Sequence, residues 1–265
     1  MVRIAASGTK LALALLAVML LGGGGGCTKR IVKPGAPERP LEPDRLPPRA
    51  ILHEVSAGES LTRIADNYYG DADQAARIAR DNGIEDPQRL TAGSLLVLRF
   101  SAAEWPEARQ RAAAMTSYNR GVDLMAEERL EEAEREFEAA LQAAPDWPNV
   151  RYNLALVSMQ RGRHEKAEAL LERLVADRPQ DHDILFAYGR VLFLEARFAE
   201  AVTVFQKLMA LDPQHRRGAF GLARSLQETG RRDEAIVAWE AYLQLDSSSG
   251  WAHIARQNLA QLRGE

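Results

Sequence analysis

Four textures follow one another along the chain. Leu11–Leu21 is an unbroken apolar run, and residues 28–50 then lose all hydrophobic periodicity. From Leu52 short apolar stretches return, each bounded by turn residues. Leu52–Val55 reads as a strand and Ser56–Glu59 as a turn. Ser60 is placed to cap a helix whose apolar face is Leu61, Ile64, Ala65 and Tyr68. Gly70 and Asp71 break that helix. Ala75–Asp81 reads as a second short helix ended by Asn82-Gly83, Pro87–Gly93 as a loop, and Ser94–Phe100 as an apolar strand. Beyond residue 113 the apolar positions recur at helical spacing, and the whole pattern repeats.

The repeat has one period in four registers. Ala133, Ala167, Ala201 and Ala235 are 34 residues apart, as are Pro145, Pro179 and Pro213, the bulky Phe137, Leu171, Phe205 and Trp239, and the small Gly121, Ala155, Gly189 and Ala223. Each unit is expected to be two antiparallel helices. Small residues let them approach, a bulky residue four places after the Ala fills the seam, and Pro ends the second helix. Period and residue order resemble the tetratricopeptide repeat. The units fall at 114–147, 148–181, 182–215 and 216–249, with 250–265 as a closing helix. Residues 101–113 form a connecting helix that extends the first repeat helix backwards from Ala114 to Pro106.

The first fifty residues read as address and tether. Arg3 and Lys10 precede the apolar run, Gly22–Gly26 follow it, and Cys27 comes next. This is the layout of an export signal over 1–26, its apolar run well short of the roughly 20 residues that span a bilayer. The position of Cys27 resembles the lipobox of bacterial lipoproteins. That resemblance implies cleavage before Cys27, its acylation, a lipid-bilayer anchor and, with Thr28 following, the outer membrane facing the periplasm. Residues 27–50 hold six of the twelve prolines. They are either a semi-rigid spacer reaching roughly 70 Å or a passive leader.

The strand–helix–helix–strand order over 51–100 resembles the LysM module. The resemblance rests on Val55, Gly58-Glu59-Ser60-Leu61 and Ile64-Ala65, on Asn82 and Ile84, and on Leu90, Gly93, Leu96 and Leu98. It implies binding of N-acetylglucosamine polymers, hence peptidoglycan, between two lips: Gly58, Glu59, Ser60 and Leu61 on one, Asn82, Gly83, Ile84 and Asp86 on the other. Leu61 and Ile84 are expected to meet the acetamido methyl. The fold class expected for the whole is mainly α, an α-solenoid of tetratricopeptide hairpins after a small α+β (βααβ) LysM domain.

The first helices of the repeats carry a second stripe. Tyr118, Tyr152, Phe186 and Phe220 keep the 34-residue step; Arg190 and Arg224 lie four residues on in the later units, and Met125, Met159 and Phe193 seven residues on. These form either a groove for an apolar peptide with an acidic end or a ladder that packs successive units together.

Net charge is −3 with a pI near 6.0, so nothing calls for nucleic acid. The single cysteine excludes an intramolecular disulfide. The five histidines are scattered, Asp181-His182-Asp183 reads as a capping cluster, and no phosphate loop, His-Glu-x-x-His or Gly-x-Ser-x-Gly occurs. No catalytic residue, metal or cofactor is expected. The expected function is a cell-envelope lipoprotein that binds peptidoglycan and recruits an unidentified envelope protein as an assembly cofactor or pilotin-like scaffold. The alternative is a regulator that positions a separate peptidoglycan hydrolase or synthase.

Overall fold

The computed structural model describes residues 46–264. Cys27, the leader over 1–26 and all of the Pro-rich segment before residue 46 lie outside the described residues. The chain divides into two units, the first reaching Thr116 and the second starting at Ser117.

In the first unit β1 (Ala50–Glu54) and β2 (Leu95–Arg99) pair antiparallel, Ala50 opposite Arg99 and Glu54 opposite Leu95. Between them lie α1 (Leu61–Tyr69) and α2 (Ala75–Asp81). Ser60 caps α1 through its Oγ, which accepts the Arg63 N–H at 3.2 Å. Gly70 ends it at φ +73°, a left-handed conformation that suits glycine. The helix face Leu61, Ile64, Ala65 and Tyr68 is buried with Ile51, Val55, Ile78, Leu96, Leu98 and Phe100.

The segment read as a connector is more than a spacer. A single helix, α3 (Trp105–Ala126), runs through it. In its first turns Ala108, Arg111 and Ala112 are buried. Arg111 donates to the carbonyl of Tyr68 at 3.2 Å, and Arg77 holds Glu104 at 2.9 Å while donating to the Arg99 carbonyl at 2.7 Å. A core this small is marginal by itself, and these bonds attach another apolar face to it.

The second unit continues from α3 through α4 (Leu130–Ala143), α5 (Pro148–Gln160), α6 (His164–Asp177), α7 (His182–Leu194), α8 (Phe198–Leu211), α9 (Arg216–Glu228), α10 (Arg232–Leu245) and α11 (Gly250–Arg263). From α4 onward, helices of the same kind begin 34 residues apart. Ala133, Ala167, Ala201 and Ala235 are all buried, as are Phe137, Leu171, Phe205 and Trp239. The small positions are sterically required. A Cβ on Gly121 would come within 2.7 Å of Phe137, and one on Gly189 or Gly221 within 2.6 Å of Phe205.

Turn chemistry sets where each helix stops. Ala144, Arg178 and Asp212, each preceding a proline, leave the helix at φ near −134° with ψ of 69–89°. Asp246 does the same without a proline, its carboxylate accepting the Ser248 and Ser249 N–H groups at 3.3 and 3.1 Å. Within each hairpin the turn passes through a left-handed residue: Glu128, Gly162, Ala196 and Gly230, at φ of 59–72°.

The seam between successive second helices changes character along the array. Glu134, 2% exposed, is held by Arg161, by Arg163 at 2.8 Å and by Lys166 at 2.5 Å. Burial alone would raise its pKa; the three cations outweigh this and lower it. One period on, Glu168 is held by Arg197. One further, the residue is Val202, buried against Leu226 and Ala235.

Candidate functional site

Each unit contains one of the predicted sites. In the first, the two lips are built from within. Glu59 directs one carboxylate oxygen at both the Ser56 N–H and His53 Nε2, each at 2.9 Å. His53 is buried and its Nδ1 lies 3.2 Å from the hydroxyl of Tyr68. Burial pushes the Glu59 pKa up, but the His53 hydrogen bond and charge and the Ser56 N–H prevail, so it sits below the ordinary value. Burial pushes the Tyr68 phenol far up, so it stays protonated as a partner for the imidazole. The result is a relay from α1 through β1 to the turn over 56–59.

The second lip is fixed by Asn82. Its amide donates to the carbonyls of Ile78 at 2.9 Å and Val97 at 3.1 Å, and its oxygen accepts the Val97 N–H at 2.7 Å. This joins the end of α2 to β2, whose Val97 pairs with Leu52 of the strand leading into the first lip. Gly83 follows at φ +65°, and Asp86 accepts the Gln88 N–H at 3.0 Å.

The eight residues assigned to the lips therefore differ in placement. Gly58, Ser60, Gly83 and Asp86 are exposed, and Ile84 is half-buried. Leu61 is 3% exposed, which corrects the expectation that it meets a sugar methyl: as the first residue of α1 it belongs to the core face with Ile64, Ala65 and Tyr68. The side chains of Glu59 and Asn82 face inward and position backbone. Sequence reasoning passed over His53 as one scattered histidine. The signal was its place on β1 six residues before an acidic turn residue.

In the second unit the stripe divides into packed and open members. Tyr118 is buried, 4.7 Å between ring centres from Trp147 and 6.1 Å from Phe137. Met159 is buried, and Met125 and Tyr152 are half-buried. Phe220 lies edge-on to Trp239, Tyr242 and Trp251 at 5.0, 5.3 and 5.0 Å, so at Tyr118 and Phe220 the ladder packs successive elements together. Phe193 meets Phe198 at 5.1 Å. Phe186 is half-buried and carries two guanidiniums, Arg217 at 4.7 Å and the exposed Arg190 at 5.8 Å from its ring centre. Arg224 pairs with Glu228 at 3.0 Å. Arg217 and Trp251 were missed. Arg217 stands 34 residues after Asp183, and that opposite-sign pair at one register was the readable signal.

The second unit is an α-solenoid of helical hairpins. A tetratricopeptide-repeat family model matches residues 124–187 and 192–257, and a second such model matches 159–216. Residues 124–257 are thus tetratricopeptide repeats. Among solved structures, MamA of MSR-1 is similar at 24% identity and a TM-score of 0.51, over 57% of this chain and 87% of that one. A tetratricopeptide repeat protein from Parabacteroides merdae ATCC 43184 is similar at 16% identity and a TM-score of 0.52, over 57% of this chain and 60% of that one. At these identities the likeness concerns the fold. A comparison with curated proteins gave no match. The second unit is consistent with a protein-interaction scaffold. Among the described residues no helix is long and apolar enough to cross a membrane.

Proposed function

We propose that the chain is a cell-envelope scaffold: an acylated Cys27 anchors it to the outer membrane, the first unit is a LysM module that binds N-acetylglucosamine glycan of peptidoglycan, and the repeats recruit a protein partner. The glycan reading rests on one observation above others. The inward polar side chains, Glu59 and Asn82, hold two loops whose outer residues Gly58, Ser60, Gly83 and Asp86 remain at the surface. Such a surface offers backbone N–H and C=O groups to acetamido groups without any reactive side chain. A weak glycan contact gains from a tethered local concentration on the order of mM.

Co-sedimentation of the full chain with purified sacculi tests the glycan arm. Binding displaced by N-acetylglucosamine oligomers is the expected result; a chain left in the supernatant ends that arm. Incorporation of labelled palmitate, abolished in Cys27→Ser, tests the anchor. Crosslinking in the native host identifies the partner, and a peptidoglycan hydrolase or synthase in the product would favour a regulatory role over assembly.

A further inference from the structure

Arginine serves two purposes in the repeat array. In the hairpin turns it is neutralised. Arg129, Arg163, Arg197 and Arg231 recur at the 34-residue step, and each holds a carboxylate, either three residues on or one repeat back. Arg190 lies on the stripe instead. It is exposed, its guanidinium stands over the ring of Phe186, and among the described residues no carboxylate lies within ion-pairing distance of it. Arg217 approaches the same ring, and its acid, Asp183, is 3.8 Å away with both side chains 70% exposed. Water weakens so loose a pair. Burial first, then the charges of Asp183 and Asp181, push the Tyr152 phenol up to about 12, while Arg217 and Arg190 pull it the other way. Tyr152 stands one period before Phe186 on the same stripe, half-buried and protonated, as a hydrogen-bond donor.

We propose that Tyr152, Phe186, Arg190 and Arg217 form the docking point for an acidic side chain of a protein partner, an Asp or Glu adjacent to an apolar residue. This rests on the reading of the repeats as the partner-binding part. Charge complementarity selects the occupant. A guanidinium without a carboxylate, on an apolar floor that reduces its hydration, takes a carboxylate in a charge-assisted, two-point bond. The half-buried ring gives an apolar neighbour a surface; Asp183 offsets Arg217, so Arg190 is the guanidinium that selects an acidic segment over a basic one. Phe220 is not part of this point, because Trp239, Tyr242 and Trp251 meet its ring edge-on and, among the described residues, no guanidinium stands over it.

The test selects twelve-residue peptides from a random displayed library on the purified full chain, then measures the binders against Arg190→Ala and Phe186→Leu. Arg190 is exposed, so its replacement leaves the fold intact, which a thermal melt checks. The expected binders are enriched in Asp or Glu beside an apolar residue. They weaken about tenfold or more in Arg190→Ala and weaken further with added salt. Neutral or basic binders, or acidic binders indifferent to Arg190, would overturn acid docking while leaving partner binding standing. A library yielding no binder to the repeats would overturn both.

Discussion

The two units solve the same stability problem with opposite degrees of redundancy. In the repeat array each structural role is filled several times: four buried alanines, four bulky seam residues, four left-handed turns. In the first unit each role is filled once. One asparagine joins α2 to β2, and one histidine–glutamate pair fixes the turn after β1. Redundant apolar packing spreads free energy over many similar contacts, each tolerant of small shifts. Single polar keystones concentrate it, because a buried hydrogen-bonding group left unmade costs more than a made one contributes. The loops of the small unit are thus held by polar geometry, whereas the array is held mainly by shape.

The largest effect expected is in the array. Phe205→Ala empties the space between Gly189 and Gly221 and is expected to destabilise the second unit by about 3–5 kcal/mol, read from the urea midpoint. An unchanged midpoint would mean the seam is not where stability resides. Next, Asn82→Ala orphans the Val97 N–H and carbonyl, while the Ile78 carbonyl keeps the backbone N–H of residue 82, with an expected loss of about 2–3 kcal/mol. Hydrogen exchange should show that loss in amides of β1 and β2 and not in α5–α10; exchange rising equally in both units would mean that Asn82 is not a local keystone.

A smaller effect depends on pH. Glu59 has its folded pKa depressed below 4.5. Its contribution is therefore complete above the unfolded value and is lost as pH falls through the folded one, starting below about pH 5. Glu59→Gln should remove that slope from the acid melt of the first unit while costing about 1 kcal/mol near neutrality. The smallest effect has a favourable sign. Ala196 sits at φ +59°, where Gly162 and Gly230 occupy the equivalent turns. Ala196→Gly is expected to stabilise by about 1 kcal/mol, and Gly162→Ala to cost about the same, both read as shifts in melting temperature.

Legibility followed the same divide. Helix starts at 148, 182, 216 and 250 fall at the unit bounds read from Ala, Pro and bulky residues at one period, and the starts at 130, 164, 198 and 232, which the sequence reading did not place, keep the same step. α2 was readable to the residue because Asn82-Gly83 announces its end. Other features were silent for physical reasons. The left-handed turn hides where Glu128 and Ala196 replace glycine, since neighbouring packing imposes a conformation those residues do not prefer. Leu61 was misjudged because a residue next to a loop motif can still be the first rung of a core face. The His53–Glu59–Tyr68 relay joins residues from a strand, a turn and a helix, and no local pattern records that. On the stripe the sequence located the ladder, but only the contacts separate Phe220, met edge-on by three aromatic rings, from Phe186 with its two guanidiniums.

Equal periods do not make the repeats interchangeable. Excising residues 148–181 would rejoin the chain in perfect phase, every helix keeping its length and its turn. Glu134 would then lie opposite Glu195, Arg197 and Glu200, where it now has Arg161, Arg163 and Lys166. Two added negative charges beside an enclosed carboxylate make that shortened array unfavourable. The graded seam thus marks the first hairpin junction as different from the next, and an array lacking residues 148–181 is expected to be less stable than the full one.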